Sequence, residues 1–368
     1  MKAIKQVLRQ DKEPYRIPKR VQDVIPIKRI WSDGIFLAGT RYCKSFKFTD
    51  INYMVASEAE QKKMFLSYAA LVNSLDCGAT TKITINNRHL NRKNFEDAVL
   101  MKMEYDGLDL FRDEYNTVIM DKATAGNGII QEKYVTVSVC KKNIAEARAY
   151  FTRVGAELSA KFAALGAKAT ELDATERLRI LHDFYRSGEE VYFRFDMQDM
   201  MKKGHDFRDY ICPDSIEKHS DYLMLGGKYA RVIYLKDYAA FISDQFVNKL
   251  TDQIRSMMLS IDIIPVATDE AVREVERKML GVETNITNWQ RRQNANNNFS
   301  ATVPYDMEVQ RKETKEYMYD LTGRDQRMVL AVLTMIHLAD TKEQLDADTE
   351  ALLKVGAEKF CQMAVMRY

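Results

Sequence analysis

The chain has 368 residues, 46% of them hydrophobic, which is apolar material for two domains or one large domain of two fused halves and too much for a disordered polymer. Fifty-five Lys and Arg stand against 53 Asp and Glu, and a formal charge of +2 gives no global field to draw nucleic acid or an anionic membrane. The five cysteines (Cys43, Cys77, Cys140, Cys212, Cys361) are scattered and form no C-x-x-C pair, which predicts free thiols in a reducing, cytoplasmic compartment.

Residues 1–30 read as a basic N-terminal arm, with nine Lys or Arg against three acids. It lacks the apolar run of a secretory signal. The arm either contacts a membrane surface or an acidic partner, through residues such as Lys19 and Arg20, or lies solvated along the domain. Pro14, Pro18 and Pro26 oppose the amphipathic helix that a membrane contact would use.

Residues 31–172 form a first strand-helix half. Ile35–Ala38 and Tyr42–Tyr53 read as paired strands, and Glu58–Leu75 as a helix with Met64, Phe65, Tyr68, Val72 and Leu75 on one face. Thr81–Asn86 is a strand. A helix follows from Phe95 to about Lys122, with Leu108, Phe111, Tyr115 and Val118 at spacings of three and four, and then a glycine-rich tip at Ala125–Gly128. Lys133–Cys140 alternates as a strand does. The stripe Ile144, Ala147, Phe151, Val154, Leu158, Phe162, Leu165 predicts the most regular helix, and a strand near Ala167–Leu172 closes the half.

Residues 173–227 lack long periodicity and read as a connector ending in the break Gly226-Gly227. Residues 228–368 then repeat the plan as a second half. Tyr229–Tyr238 is a strand of β-branched and aromatic residues suited to burial on both faces. It is followed by a helix at Phe241–Met258, a strand at Leu259–Val266, a long insertion, a strand at Arg327–His337, a helix at Thr341–Phe360 and a strand at Cys361–Tyr368. In the insertion, Val272, Val275, Met279, Val282, Ile286 and Trp289 follow coiled-coil spacing. Met307, Gln310, Thr314, Tyr317 and Leu321 return at the same spacings. This predicts an antiparallel helical hairpin over about 269–322 with an Asn-rich tip. The fold class is therefore α/β (α+β): two similar halves with mixed sheets, the second carrying the hairpin. The hairpin either docks a partner through Trp289, Arg291, Arg292, Asn296 and Asn297 or packs flat on its own sheet.

Catalytic patterns are sparse. The nearest approach to a phosphate loop, Gly34 to Arg41, has Thr40 where the lysine must neutralise phosphate and Arg41 where a hydroxyl must hold magnesium. Gly34 reads better as a turn glycine after Asp33. His205, Cys212 and His219 lie seven apart, a spacing that matches no standard zinc pattern. Asp196 and Asp199 could serve as acid and base, yet carboxylates three apart in a polar stretch are usually solvated. His337 reads as a tolerated residue near a strand end. The reading assigns no catalytic, cofactor-binding or metal-binding residue.

Four stretches together resemble the N-terminal region of the type IV secretion ATPases of conjugative DNA transfer, the CagE/TrbE/TraE type. They are Val21–Phe36 (VQDVIPIKRIWSDGIF), Glu176–Arg186 (ERLRILHDFYR), Asp209–Lys218 (DYICPDSIEK) and Tyr229–Ala240 (YARVIYLKDYAA). Family members continue into a RecA-like motor domain that binds ATP and magnesium, and no Walker motif occurs in this sequence. The resemblance implies an excised N-terminal region or a truncated product. It further implies a non-catalytic docking and assembly module, without cofactor, that couples the motor to inner-membrane channel components at the inner face of the cell membrane. The expected partners are those components, the chain's own motor domain where one follows, and further copies of the chain. A stand-alone small-molecule enzyme using residues 196–219, and a single-stranded DNA-binding module using the arm and the Arg291-Arg292 tip, stay open beside it.

Overall fold

A computed structural model describes residues 18–51, 53, 55–89, 100–125, 129–239, 242, 245–253, 255–298, 302–324 and 326–367. Lys2, Lys5, Arg9, Lys12 and Arg16 of the basic arm, the helix start at Phe95, the tip residues 126–128 and the end of the Asn run at 299–300 lie outside these.

Twelve strands form one sheet. They are, in chain order, β1 (Ile27–Ile30), β2 (Phe36–Ala38), β3 (Arg41–Phe48), β4 (Ala79–His89), β5 (Ile129–Val139), β6 (Ala169–Glu171), β7 (Ile216–Lys218), β8 (Leu223–Leu225), β9 (Lys228–Asp237), β10 (Met257–Pro265), β11 (Val329–Ala339) and β12 (Gln362–Val365). The spatial order is β1-β2-β3-β5-β4-β10-β11-β9-β8-β7, with β6 paired to β3 and β12 to β9. Read inward from either edge, the order is the same: two hairpin strands, a long strand, then the last and the first of its two successors. The class is mixed α/β as expected. Instead of two mixed sheets there is one, antiparallel in every pair whose register is described.

The chain divides into two compact units, and the division is not at residue 228. The larger unit, Tyr15–Asn52, Thr81–Asp262 and Val332–Tyr368, carries the sheet. Helix α3 (Ile144–Ala164) buries Ala147, Phe151, Val154, Leu158 and Phe162 of the predicted stripe. Gly155 of α3 faces Phe46, where an added Cβ would meet the ring at 3.2 Å. The core around β9 joins Ile233 and Leu235 to Met257, Leu259, Leu333 and Met335 of neighbouring strands. Phe246 and Leu250 of α6 (Gln245–Thr251) and Leu352 of α9 (Lys342–Glu358) complete it. The helix expected to reach Met258 ends at Thr251, because Met257 and Leu259 alternate into this core as strand residues.

The stretch 173–227, read as a connector, is folded. It holds α4 (Ala174–Tyr185), α5 (Met197–Lys203), β7 and β8, and its Ala174, Leu178, Phe193, Phe207, Ile211 and Cys212 pack with Ile25, Ile27, Phe36 and Cys43. Outside α4, where Ala174 and Leu178 sit about one helical turn apart, its aromatic and aliphatic residues come from short turns, so no long periodicity announces them. Gly226 and Gly227, at φ 55° and 97°, make the two-residue turn that pairs Leu225 with Lys228, a hairpin in place of a linker.

The described residues of the smaller unit, within 53–80 and 263–331, are mostly helical. Helix α1 (Glu58–Asn73) starts at a Ser57/Glu60 capping box. It buries Leu71, followed by Leu75, while Phe65 and Tyr68 of the predicted face are exposed; the apolar face is rotated by about one position. Helices α7 (Thr268–Ala295) and α8 (Tyr305–Gly323) pack against each other. Arg311 pairs with Glu283 at 2.7 Å, and Ala271 and Val275 cluster with Met318 and Leu321, so the helices run antiparallel. Val282 and Ile286 are buried as the spacing predicts, whereas Tyr317 is exposed and Met318 takes its place on the seam.

Candidate functional site

The residues expected to touch a partner fall in two places. Trp289, half-buried, and the exposed Arg291, Arg292, Asn296 and Asn297 gather at the hairpin tip; Lys19 and Arg20 belong to the other unit. The tip has a clear local cause. Asn297 takes φ 58°, its N–H bonds to the Asn294 carbonyl at 3.0 Å, and the Asn298 N–H reaches the Gln293 carbonyl at 2.9 Å. These two bonds close α7 with a Schellman cap, and asparagine is the residue after glycine that most readily takes that left-handed position. Part of the Asn run therefore ends a helix, and Arg291 and Arg292 remain as the cationic groups displayed there. The backbone N–H groups of Lys19 and Arg20 both donate to Asp23 Oδ2 at 3.2 Å, starting a 3-10 turn at Val21–Val24 and leaving the two side chains exposed.

The four stretches that carry the family resemblance converge in the larger unit around α4. Arg177 donates to the carbonyls of Gly34 (2.7 Å) and Cys43 (2.8 Å) and lies over the Phe36 ring at 3.9 Å. Arg186 donates to the Cys212 carbonyl and pairs with Glu189 and Asp214. Gln22 donates to Asp209 Oδ1 at 3.0 Å. Phe184 and Tyr185 pack with Ile216 and Ala230. Buried carbonyls need donors, and a guanidinium reaches two segments at once, so each arginine ties stretches distant in sequence.

Two buried polar clusters had no counterpart in the sequence reading. In the first, Glu132 of β5 accepts from Lys47 at 2.6 Å, Tyr134 at 2.8 Å and Arg88 at 3.1 Å, with Asp183 at 4.0 Å from Arg88. Burial opposes the Glu132 charge, but these donors outweigh it and hold its carboxyl below the usual range; burial and the Glu132 charge push the Tyr134 hydroxyl up. His182, buried beside Asp183 at 3.3 Å, lies against Phe193.

The second cluster is centred on Arg231 of β9, 4% exposed, which bonds Asp221 (2.7 Å), Asp346 (2.8 Å) and Thr349 (2.9 Å). His337, near the end of β11 as expected, is fully buried and takes part in this cluster. The Thr349 hydroxyl donates to the Leu345 carbonyl at 2.7 Å, so its contact with His337 Nε2 at 3.2 Å requires the imidazole to donate from Nε2. Nδ1 is left buried with no partner. Burial, with Arg231 and Arg255 nearby, pushes the imidazole down to about 4, so it is neutral. The signal for this cluster was present: an arginine inside the apolar strand Tyr229–Tyr238 must find carboxylates when buried.

The residues weighed for chemistry at 196–219 are used locally. Asp196 caps α5 by accepting from the Asp199 N–H, Asp199 pairs with Lys203, and His219 stacks on Tyr222 at 4.3 Å. Cys212 sits in the core, and burial raises its thiol to about 11, away from a ligating thiolate. Gly34, nearest to a phosphate loop, has φ 76° and turns the chain from β1 to β2. Among the described residues no helix is long and apolar enough to cross a membrane. No protein-family model matches the chain, and no curated protein matches it.

Proposed function

We propose that this chain is a non-catalytic docking and assembly module of the kind that precedes the motor of a conjugative-transfer, type IV secretion ATPase, binding inner-membrane channel components from the cytoplasmic side. The observation that carries the reading is the convergence of the four resembling stretches on α4. Their shared residues, Arg177, Arg186, Gln22 and Asp209, bond one stretch to another, which supports a likeness of a folded unit over four separate coincidences of composition. The display of Arg291 and Arg292 on a rigidly capped helix end supports the hairpin tip as a contact surface for an acidic partner. ATP and magnesium belong, on this reading, to a motor domain and not to these residues.

The experiment is reconstitution with purified inner-membrane channel components in detergent. Binding is expected, with affinity reduced about tenfold or more by R291E with R292E at an unchanged melting temperature. Absence of binding by a folded chain would refute the module. ATP turnover by this chain that is lost on substituting Arg41 would refute its non-catalytic character.

A further inference from the structure

Helix α2 (Asp109–Ala125), in the larger unit, leaves several large apolar residues exposed. Leu108, Phe111, Tyr115 and Val118, which recur at helical spacing, are 53%, 64%, 43% and 47% exposed, with Met101 and Met103 exposed beside them in the sequence. Their spacing of three, four and three is that of a helix seam. The polar residues are spent on fixing this element. Arg112 forks onto both oxygens of Asp106 (2.5 and 2.7 Å), and reaches Asp109 at 2.7 Å and Glu104 at 3.3 Å. Asp109 accepts from the N–H groups of Glu104 and Tyr105, and Asn116 bonds both the N–H and the carbonyl of Met101. Tyr105 is thereby held at φ 57°, a left-handed conformation unfavourable for tyrosine, and the residue is 91% exposed. A surface pre-ordered in this way loses little freedom when it is covered.

We infer that α2 with its lead-in is a docking face for an amphipathic helix of a partner protein, one whose apolar stripe is flanked by basic residues. The helical spacing selects a helix. The charge selects its flanks: residues 101–118 hold Glu104, Asp106, Asp109, Asp113 and Glu114 against Lys102 and Arg112. The same acidic rim disfavours an anionic membrane. This inference uses a different surface from the hairpin tip and does not depend on the proposed function.

The test titrates the full chain against two labelled synthetic helices that share a leucine stripe, one flanked by lysines and one by glutamates, and reads fluorescence anisotropy. The lysine-flanked helix is expected to bind at least tenfold tighter. L108S with F111S should abolish that binding with the circular dichroism spectrum retained, and D113K with E114K should narrow or invert the preference. Equal affinity for both helices, or binding unaffected by either double variant, would overturn the inference. So would self-association of the chain lost in L108S with F111S, which assigns the face to a second copy, or binding to phosphatidylserine vesicles lost in the same variant, which assigns it to a membrane.

Discussion

Acidification should destabilise this protein through His337. The ring is fully buried, donates from Nε2 to Thr349, and offers an unpartnered Nδ1 to any added proton. Arg231 on β9 and Arg255 ahead of β10 lie close enough to oppose a second positive charge; Asp221, Asp346 and Asp348 face the same cluster but are engaged by those arginines. The imidazole therefore titrates near 4 when folded and near 6.5 when unfolded. The folded pKa of a base is depressed, so its contribution is intact above 6.5 and is lost as pH falls from 6.5 towards 4. Between pH 7 and 5 that amounts to about 2 kcal/mol. Asp348, raised by burial against the pull of Arg255, titrates in the opposite sense and is common to wild type and variant. The assay is urea unfolding at pH 7 and pH 5 for wild type and H337Q, which keeps a donor for Thr349 but cannot titrate. Wild type should lose about 2 kcal/mol more than H337Q over that interval. Parallel losses would show that the ring is not held neutral and would refute the argument.

Other substitutions test the packing around α4. G34A places a Cβ 1.9 Å from the Leu172 carbonyl oxygen at φ 76°, and should cost about 3 kcal/mol or more in a denaturant titration. G188A, at φ 98° with nothing within 4 Å, should cost only about 1 kcal/mol. L178A empties a fully buried position and should lose about 2 to 5 kcal/mol, read as a drop in denaturation midpoint at unchanged slope. R231M removes the charge while Asp221 and Asp346 stay half exposed, so the expected loss is about 2 to 4 kcal/mol in a denaturant titration; a loss below about 1 kcal/mol would contradict the pairing.

What the sequence determined by itself is the set of elements whose period is long and unbroken. The stripe from Ala147 to Leu165 fixed α3, the seam from Val275 to Ile286 fixed the hairpin, and alternation fixed β5, because a face turned to a core repeats at the pitch of its own backbone; β9 was marked by its run of β-branched and aromatic residues. Only the tertiary structure decided what each face meets. Leu108 to Val118 has the same spacing as a buried stripe and is exposed, since periodicity reports a face and not its neighbour. Residues 173–227 looked like a connector because, beyond the single helix α4, their buried residues come from short turns, each completed by segments far away in the chain. The joining of twelve strands into one sheet, and the burial of Arg231 beside Asp221, Asp346 and Thr349, rest on hydrogen bonds between residues far apart in the chain, including the 118 positions from Arg231 to Thr349. An arginine inside an apolar strand announces that it needs partners, but which distant residues supply them leaves no mark on local composition and had to be read from the fold.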